Sequence, residues 1–181
     1  MRTKLTTYHL EMTDPKDFRP TARRRADLEI RQAEIPCPEL NRFFYTTVGG
    51  NWFWLDRLVW PYERWLNYVN RPELKTWYAL FSGTPAGYFE LESQPASSVE
   101  IVYFGLLPQF VGQGLGGPLL SAAIERAWHM NAKRVWVHTC TLDHPSALAN
   151  YQARGFRVFK EVESEEDLPE KSPSPWPGSK N

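Results

Sequence analysis

Along the chain, stretches in which apolar and polar residues alternate give way to stretches in which apolar residues recur every three to four positions. These two periods separate strands from helices. Thr6 to Leu10 reads as a short strand, followed by turn chemistry at Thr13-Asp14-Pro15. From Leu28 to Ala33 the alternation sets Leu28, Ile30 and Gln32 against Glu29, Arg31 and Ala33, which predicts a strand. Pro36 and Pro38 open a helix from about Glu39 to Val48, since proline is tolerated in a first turn, and Gly49-Gly50 breaks it. Thr76 to Phe81 and Ala86 to Leu91 predict a hairpin around Ser82-Gly83-Thr84-Pro85. After a loop over 93–98, Val99 to Leu107 is apolar, β-branched and aromatic, as a buried strand is, and Pro108 ends it. Leu119, Leu120, Ala123, Ala127 and Met130 then fall at helical spacing. Arg134 to Thr141 is another strand, with Val135, Val137 and Thr139 alternating against Trp136, His138 and Cys140. Pro145 starts a helix that carries Leu148 and Tyr151 and is capped by Gly155, and Phe156 to Val162 closes the pattern. The pattern predicts one domain over 1–163. From Ser164 the chain is acidic, proline-rich and poor in apolar residues, which predicts a mobile tail over 164–181.

Between the buried strand and the long helix lie four glycines, Gly112, Gly114, Gly116 and Gly117. A strand feeding a glycine-rich loop that opens a helix is an anion site. The N–H groups of the first helical turn are unpaired, glycine lets a phosphate approach the backbone, and the helix dipole favours negative charge. A P-loop would end in Gly-Lys-Ser/Thr, whereas this loop ends in Gly116-Gly117-Pro118. A dinucleotide fingerprint matches literally as Gly112-x-Gly114-x-x-Gly117. Its first glycine, however, should follow the strand directly, and here Gln109, Phe110 and Val111 intervene; Asp143 also comes late for the ribose-binding acid.

A third reading takes in more of the chain. Gln109-x-x-Gly112-x-Gly114 resembles the Gln/Arg-x-x-Gly-x-Gly/Ala signature of the GCN5-related N-acetyltransferases, the GNAT superfamily. Glu100-Ile-Val-Tyr-Phe-Gly-Leu resembles the fourth strand of that fold, and Tyr151 with Gly155-Phe156 resembles its C-terminal signature. The resemblance covers roughly 76–162. It implies an α/β fold of the α+β kind: a mixed, mostly antiparallel sheet flanked by helices. It also implies acetyl-CoA as cosubstrate and transfer to a primary amine by direct attack in a ternary complex. A CoA-binding sensor or interaction module that has lost the chemistry is the alternative of a different class, and a dinucleotide-dependent oxidoreductase is third.

Such chemistry makes four demands. Pantetheine and pyrophosphate are to be held by Gln109, Val111, Gly112, Gln113, Gly114, Leu115, Gly116 and Gly117, mainly through backbone N–H groups. The thioester carbonyl needs a donor as it becomes an oxyanion, and the N–H of Leu106 or Leu107 serves if the strand splays from its neighbour. Gly105 marks either a bulge or a packing contact there. The ammonium must lose a proton, because an amine near pKa 10 is no nucleophile at neutral pH. The resemblance aligns Glu100 with the family's catalytic glutamate; the residue also reads as a strand-end carboxylate facing water, and Glu90 or a water relay are the fallbacks. The leaving thiolate needs a proton, a role the resemblance gives to Tyr151. Where many members carry Asn-x-x-Ala, this chain has His144-Pro-Ser-Ala147, so His144 takes the place of a pantetheine-holding asparagine.

The segment after Gly50 carries Trp52, Phe53, Trp54, Trp60, Tyr62, Trp65 and Tyr68 with Asp56 and Arg57. Large amphipathic rings wall ligand pockets as well as they pack helices, and both readings stand. On the first, Trp52 and Trp54 hold the acceptor and Arg57 pairs with its carboxylate.

Composition trims the alternatives. Twenty-one basic residues balance 21 acidic ones in 181, which disfavours nucleic acid as the main ligand; Arg23-Arg24-Arg25 reads as a solvated face. No apolar run approaches the roughly 18 residues a membrane span needs, and the N-terminus lacks a signal-peptide core. Cys37 and Cys140 are unclustered, as expected of a cytoplasmic protein. His138, Cys140 and His144 lack a fourth ligand, so no metal is expected. The expected partner is a small-molecule or peptide amine; a homodimer is compatible with the sequence but not required by it.

Overall fold

The computed structural model describes residues 2–22 and 25–174. Its strands are β1 (Arg2–Met12), β2 (Leu28–Gln32), β3 (Leu74–Phe81), β4 (Thr84–Gln94), β5 (Ser98–Leu106), β6 (Arg134–Cys140) and β7 (Arg157–Asp167). Its helices are α1 (Pro38–Gly49), α2 (Tyr62–Val69), α3 (Gly116–His129) and α4 (Ala147–Ala153). The strands form one sheet in the order β2-β3-β4-β5-β6-β1-β7. β5 and β6 run parallel, while the other neighbours are antiparallel. This is the mixed, mostly antiparallel α/β architecture the sequence predicts.

β4 and β5 are buried on both faces, which explains why they read as near-continuous apolar runs. One face carries Phe89, Leu91, Val99 and Ile101 against Leu119, Leu120, Ala123 and Ile124 of α3. The alternate residues, Tyr88 and Tyr103, pack on the other face with Phe44 and Val48 of α1. Helices therefore cover both sides of the central strands.

Two parts of the chain differ from the local reading. β1 spans 11 residues rather than Thr6 to Leu10, and it lies inside the sheet between β6 and β7. β7 likewise continues past Val162, so residues 164–167 are strand rather than tail. The two lengthen each other: Arg2 to Thr6 register with Asp167 to Glu163, and Lys4 Nζ lies 2.8 Å from Glu163 Oε2. Acidic residues that look like a solvated tail in isolation are stabilised here by a basic partner strand about 160 positions away. Leu168 is then buried, and the Ser172 hydroxyl and Ser174 N–H both donate to the Gly50 carbonyl. The rest of the expected tail, 175–181, lies outside the described residues. So do Arg23 and Arg24. Arg25 is not simply solvated: it pairs with Asp27, donates to the Gln113 carbonyl and lies over the Phe81 ring.

The bulge falls at Val102, where Leu91 faces Ile101 and Glu90 faces Tyr103 with Val102 left over. Gly105 instead marks a close approach, since a Cβ there would lie 2.4 Å from Val48 Cγ1 of α1. Gly105→Ala should therefore destabilise the fold by about 1–3 kcal/mol through overpacking. Adding Val48→Ala should recover part of that loss, and denaturant unfolding of the two single variants and the double variant measures the coupling.

Candidate active site

Pairing between β5 and β6 reaches Ile101 and Val137 and goes no further. Past that point β5 stays on β4 and β6 stays on β1, so the strands diverge. The bulge at Val102 sits at the fork, where its added twist bends β5 away. The opening is a cleft of about 690 Å³.

One end of the cleft is the glycine loop. Gly112 and Gly114 adopt φ of 81° and 75°, which suits glycine, and a Cβ on Gly112 would meet nothing within 4 Å. The first backbone bond of α3 runs from Leu119 N–H to the Leu115 carbonyl. Hence the N–H groups of Gly112, Gly114, Leu115, Gly116 and Gly117 have no backbone acceptor among the described residues. Val111 differs from the expected set, because its N–H is taken by the Pro108 carbonyl. Gln113 turns inward on the loop, its Nε2 donating to the Gln109 carbonyl, so it holds the loop's shape. Gln109 is exposed, and Leu115 is buried beneath the loop with Phe110 and Ala86.

The exposed edge of β5 forms the floor. Leu107 N–H donates to the Ala86 carbonyl of β4, which removes it as an oxyanion donor. In an antiparallel ladder, pairing alternates from residue to residue, so Leu106 turns its N–H away from β4 and toward the gap left by β6. Tyr151 of α4 lines the cleft and is buried between the rings of Phe104 and Phe156. That burial, with Asp143 nearby, pushes its phenol well above the usual range and keeps it protonated. His144 also lines the cleft, its Nδ1 accepting from Ser146 N–H and its ring 5.2 Å from that of Trp52.

The other end belongs to the segment after α1. Trp52, Trp54 and Asp56 border the cleft together with Tyr103 and His138. Trp54 is also wedged into the fold: its ring lies 2.3 Å from where a Gly49 Cβ would sit and 4.6 Å from the Tyr103 ring. Arg57 does not fill the expected role. It is buried, with its guanidinium 3.5 Å from Glu90 and stacked over the rings of Tyr68, Tyr103 and Trp60. Burial opposes its charge, but Glu90 and the two tyrosines outweigh that and raise its pKa. Glu90, fully buried, accepts from Asn41 Nδ2 at 2.7 Å and from Tyr68 OH at 2.5 Å. Both residues are therefore structural, and the fallback base is sealed from the cleft.

Glu100 does not border the cleft either. It is buried, with Oε2 accepting from Gln94 Nε2 at 2.7 Å and Oε1 lying 3.1 Å from His138 Nδ1. The histidine is half-exposed and does line the cleft. Residues the sequence did not mark for the acetyl-transfer site thus include His138, weighed only as a metal ligand, with Tyr103, Asp56, Asn150, Glu166 and Leu168, all at the cleft wall. For His138 a signal existed: the alternation of β6 puts it on the face opposite Val135 and Val137. Its partner became visible only through the β5–β6 pairing.

Comparisons with known proteins bear on this arrangement. An S-alkylcysteine N-acetyltransferase of Bacillus subtilis (strain 168) is 29% identical over 82 residues, 44% of this chain and 46% of that protein. Among solved structures, a GCN5-related N-acetyltransferase from Kribbella flavida superposes with a TM-score of 0.65 at 15% identity, covering 93% of this chain and 61% of its own. Another from Sphaerobacter thermophilus gives 0.65 at 17%, covering 89% and 51%. The chain thus spans about half to three-fifths of the length of these relatives, and the structural likeness establishes the fold. The model of the Acetyltransferase (GNAT) family matches residues 29–156, from β2 through α4, and the chain belongs to that family.

Proposed function

We propose that the protein transfers an acetyl group from acetyl-CoA to a primary amine by direct attack in a ternary complex. The observation that carries this reading is the set of N–H groups of Gly112, Gly114 and Gly116, which have no backbone acceptor among the described residues and border the cleft where β5 and β6 part. A pyrophosphate at the head of α3 would receive those donors and the positive end of the helix dipole. The pantetheine arm would then run along the free edge of β5, past Asn150 and His144. Leu106 N–H is the donor for the thioester oxygen as negative charge develops there. Tyr151, held protonated by burial, supplies the proton for the departing sulfur.

At the acceptor end, aromatic walls from Trp52, Trp54 and Tyr103 combine with the carboxylates of Asp56 and Glu166, and among the described residues no lysine or arginine lines the cleft. That combination suits an amine arriving as an ammonium beside a flat or apolar group. With Arg57 committed to Glu90, an acceptor carboxylate would find no lysine or arginine among the described residues of the cleft wall. The CoA-binding module without chemistry has no observation in its favour beyond the loop itself.

Acetyl-CoA at about 100 times its Kd should raise Tm by about 5–10 °C, while NAD and ATP should not. Gly114→Glu should abolish the shift by placing bulk and charge on the pyrophosphate. Stabilisation by NAD alone would overturn the reading. Tyr151→Phe should lower kcat by about 10² with acetyl-CoA affinity unchanged, as measured by thiol release across a panel of amines. The two tryptophans should separate. Trp54→Ala should cost about 3–5 kcal/mol in denaturant unfolding, as truncation of a packed ring does. Trp52→Ala should spare stability and raise the acceptor KM.

A further inference from the structure

We infer that His138, not Glu100, takes the proton from the acceptor ammonium, and that Trp136, Gln94 and Glu100 hold it in the tautomer that can do so. This rests on the acetyl-transfer reading and assigns its base. Trp136 Nε1 donates to Gln94 Oε1 at 2.9 Å, and Gln94 Nε2 donates to Glu100 Oε2 at 2.7 Å. An indole nitrogen can only donate, so it fixes which end of the Gln94 amide faces it. The other end must then donate to Glu100. A carboxylate only accepts, so Glu100 Oε1, 3.1 Å from His138 Nδ1, is met by an Nδ1–H. In the neutral ring this leaves the lone pair on Nε2. The ring belongs to the cleft wall and Glu100 does not, so the imidazole rather than the carboxylate is positioned to meet an acceptor.

Other charged groups face this ring. His9 of β1 registers opposite His138 with ring centroids 5.9 Å apart, and Lys160 of β7 registers opposite His9. Asp143, at the turn after β6, adds negative charge. The hydrogen bond to Glu100 outweighs partial burial and raises the His138 pKa above its ordinary value, whereas burial, His138 and Lys160 lower that of His9. A base with a raised pKa is a stronger proton acceptor, and it works on the alkaline side of that pKa.

The proton balance closes on these groups. The acceptor ammonium gives one proton to His138 Nε2, which returns it to solvent through its exposed edge. The freed nitrogen forms the C–N bond, and the C–S bond breaks with its electron pair left on sulfur. Sulfur takes the Tyr151 phenol proton. The tyrosine is restored by the second proton that nitrogen sheds on becoming an amide.

The test uses the full chain, acetyl-CoA and the amine panel, with pH–rate profiles beside acetyl-CoA thermal shifts. His138→Gln should lower kcat/KM at pH 7 by about 10²–10⁴ with the thermal shift intact, and should recover as pH nears the amine's pKa. Glu100→Gln should move the acid limb of the wild-type profile to lower pH, an effect a purely structural role would not produce. Long-range ¹H–¹⁵N spectra of the wild type should place the proton of neutral His138 on Nδ1. An active wild type with an unaltered His138→Gln profile, or a neutral His138 protonated on Nε2, overturns the assignment while leaving acetyl transfer standing. A wild type that acetylates no amine on the panel but shifts with acetyl-CoA overturns both.

Discussion

The parallel contact between β5 and β6 lasts for four register pairs, Ser98–Arg134 to Ile101–Val137, and the rest of the molecule follows from where it stops. Up to Ile101 the two strands share a sheet over α3. Beyond it, the extra residue at Val102 bends β5 and breaks the ladder. Backbone groups that a continuous sheet would have consumed are left facing a cleft. Leu106 gains a free N–H for that reason, and α3 begins just past the same strand, so the unpaired N–H groups of its first turn open onto the same space. One interruption in strand pairing thus supplies both the cavity and the polar groups that equip it.

An open seam in a sheet has to be held apart, and the far side of β5 shows how. Gly105 lets α1 come down until Val48 touches the strand backbone, and Gly87 of β4 permits a similarly close approach to the Gly105 carbonyl. Around them, Glu90, Arg57, Asn41 and Tyr68 tie β4 to both α1 and the segment leading into α2. Removing one partner of such a buried ion pair typically costs about 3–5 kcal/mol, because the other charge is stranded. The network contributes position rather than chemistry. It fixes the loop bearing Trp52, Trp54 and Asp56 at one mouth of the cleft.

Three titratable groups near the splay are sorted by burial and hydrogen bonding into different tasks. Glu90 is enclosed and structural, and Glu100 is buried but bonded to a histidine at the cleft wall. Tyr151, also buried, is kept protonated and lines the cleft. Two carboxylates ten residues apart in neighbouring strands would be hard to tell apart by type alone; their surroundings divide them.

Most kinds of element and their order were legible in the sequence, although α2 was not, because its aromatic residues read equally as a pocket wall. Period-2 and period-3.6 patterns are local, and they marked the β3–β4 hairpin, the buried β5, α3 and α4 within a few residues of their bounds. The glycine loop is legible too, because a strand, four glycines and a helix are contiguous in the chain. Tertiary structure decided everything that depends on pairing between distant segments. β1 and β7 each look too short or too acidic alone, yet they lengthen one another through register and opposite charge. Arg57 reads as a free cation until Glu90 is brought to it. Glu100 reads as a base or a strand-end carboxylate, and only the β5–β6 pairing shows that it is bonded to His138 and Gln94. A side chain's period reveals which face it takes, but its partner on that face is set by the neighbouring strand, and no local pattern carries that information.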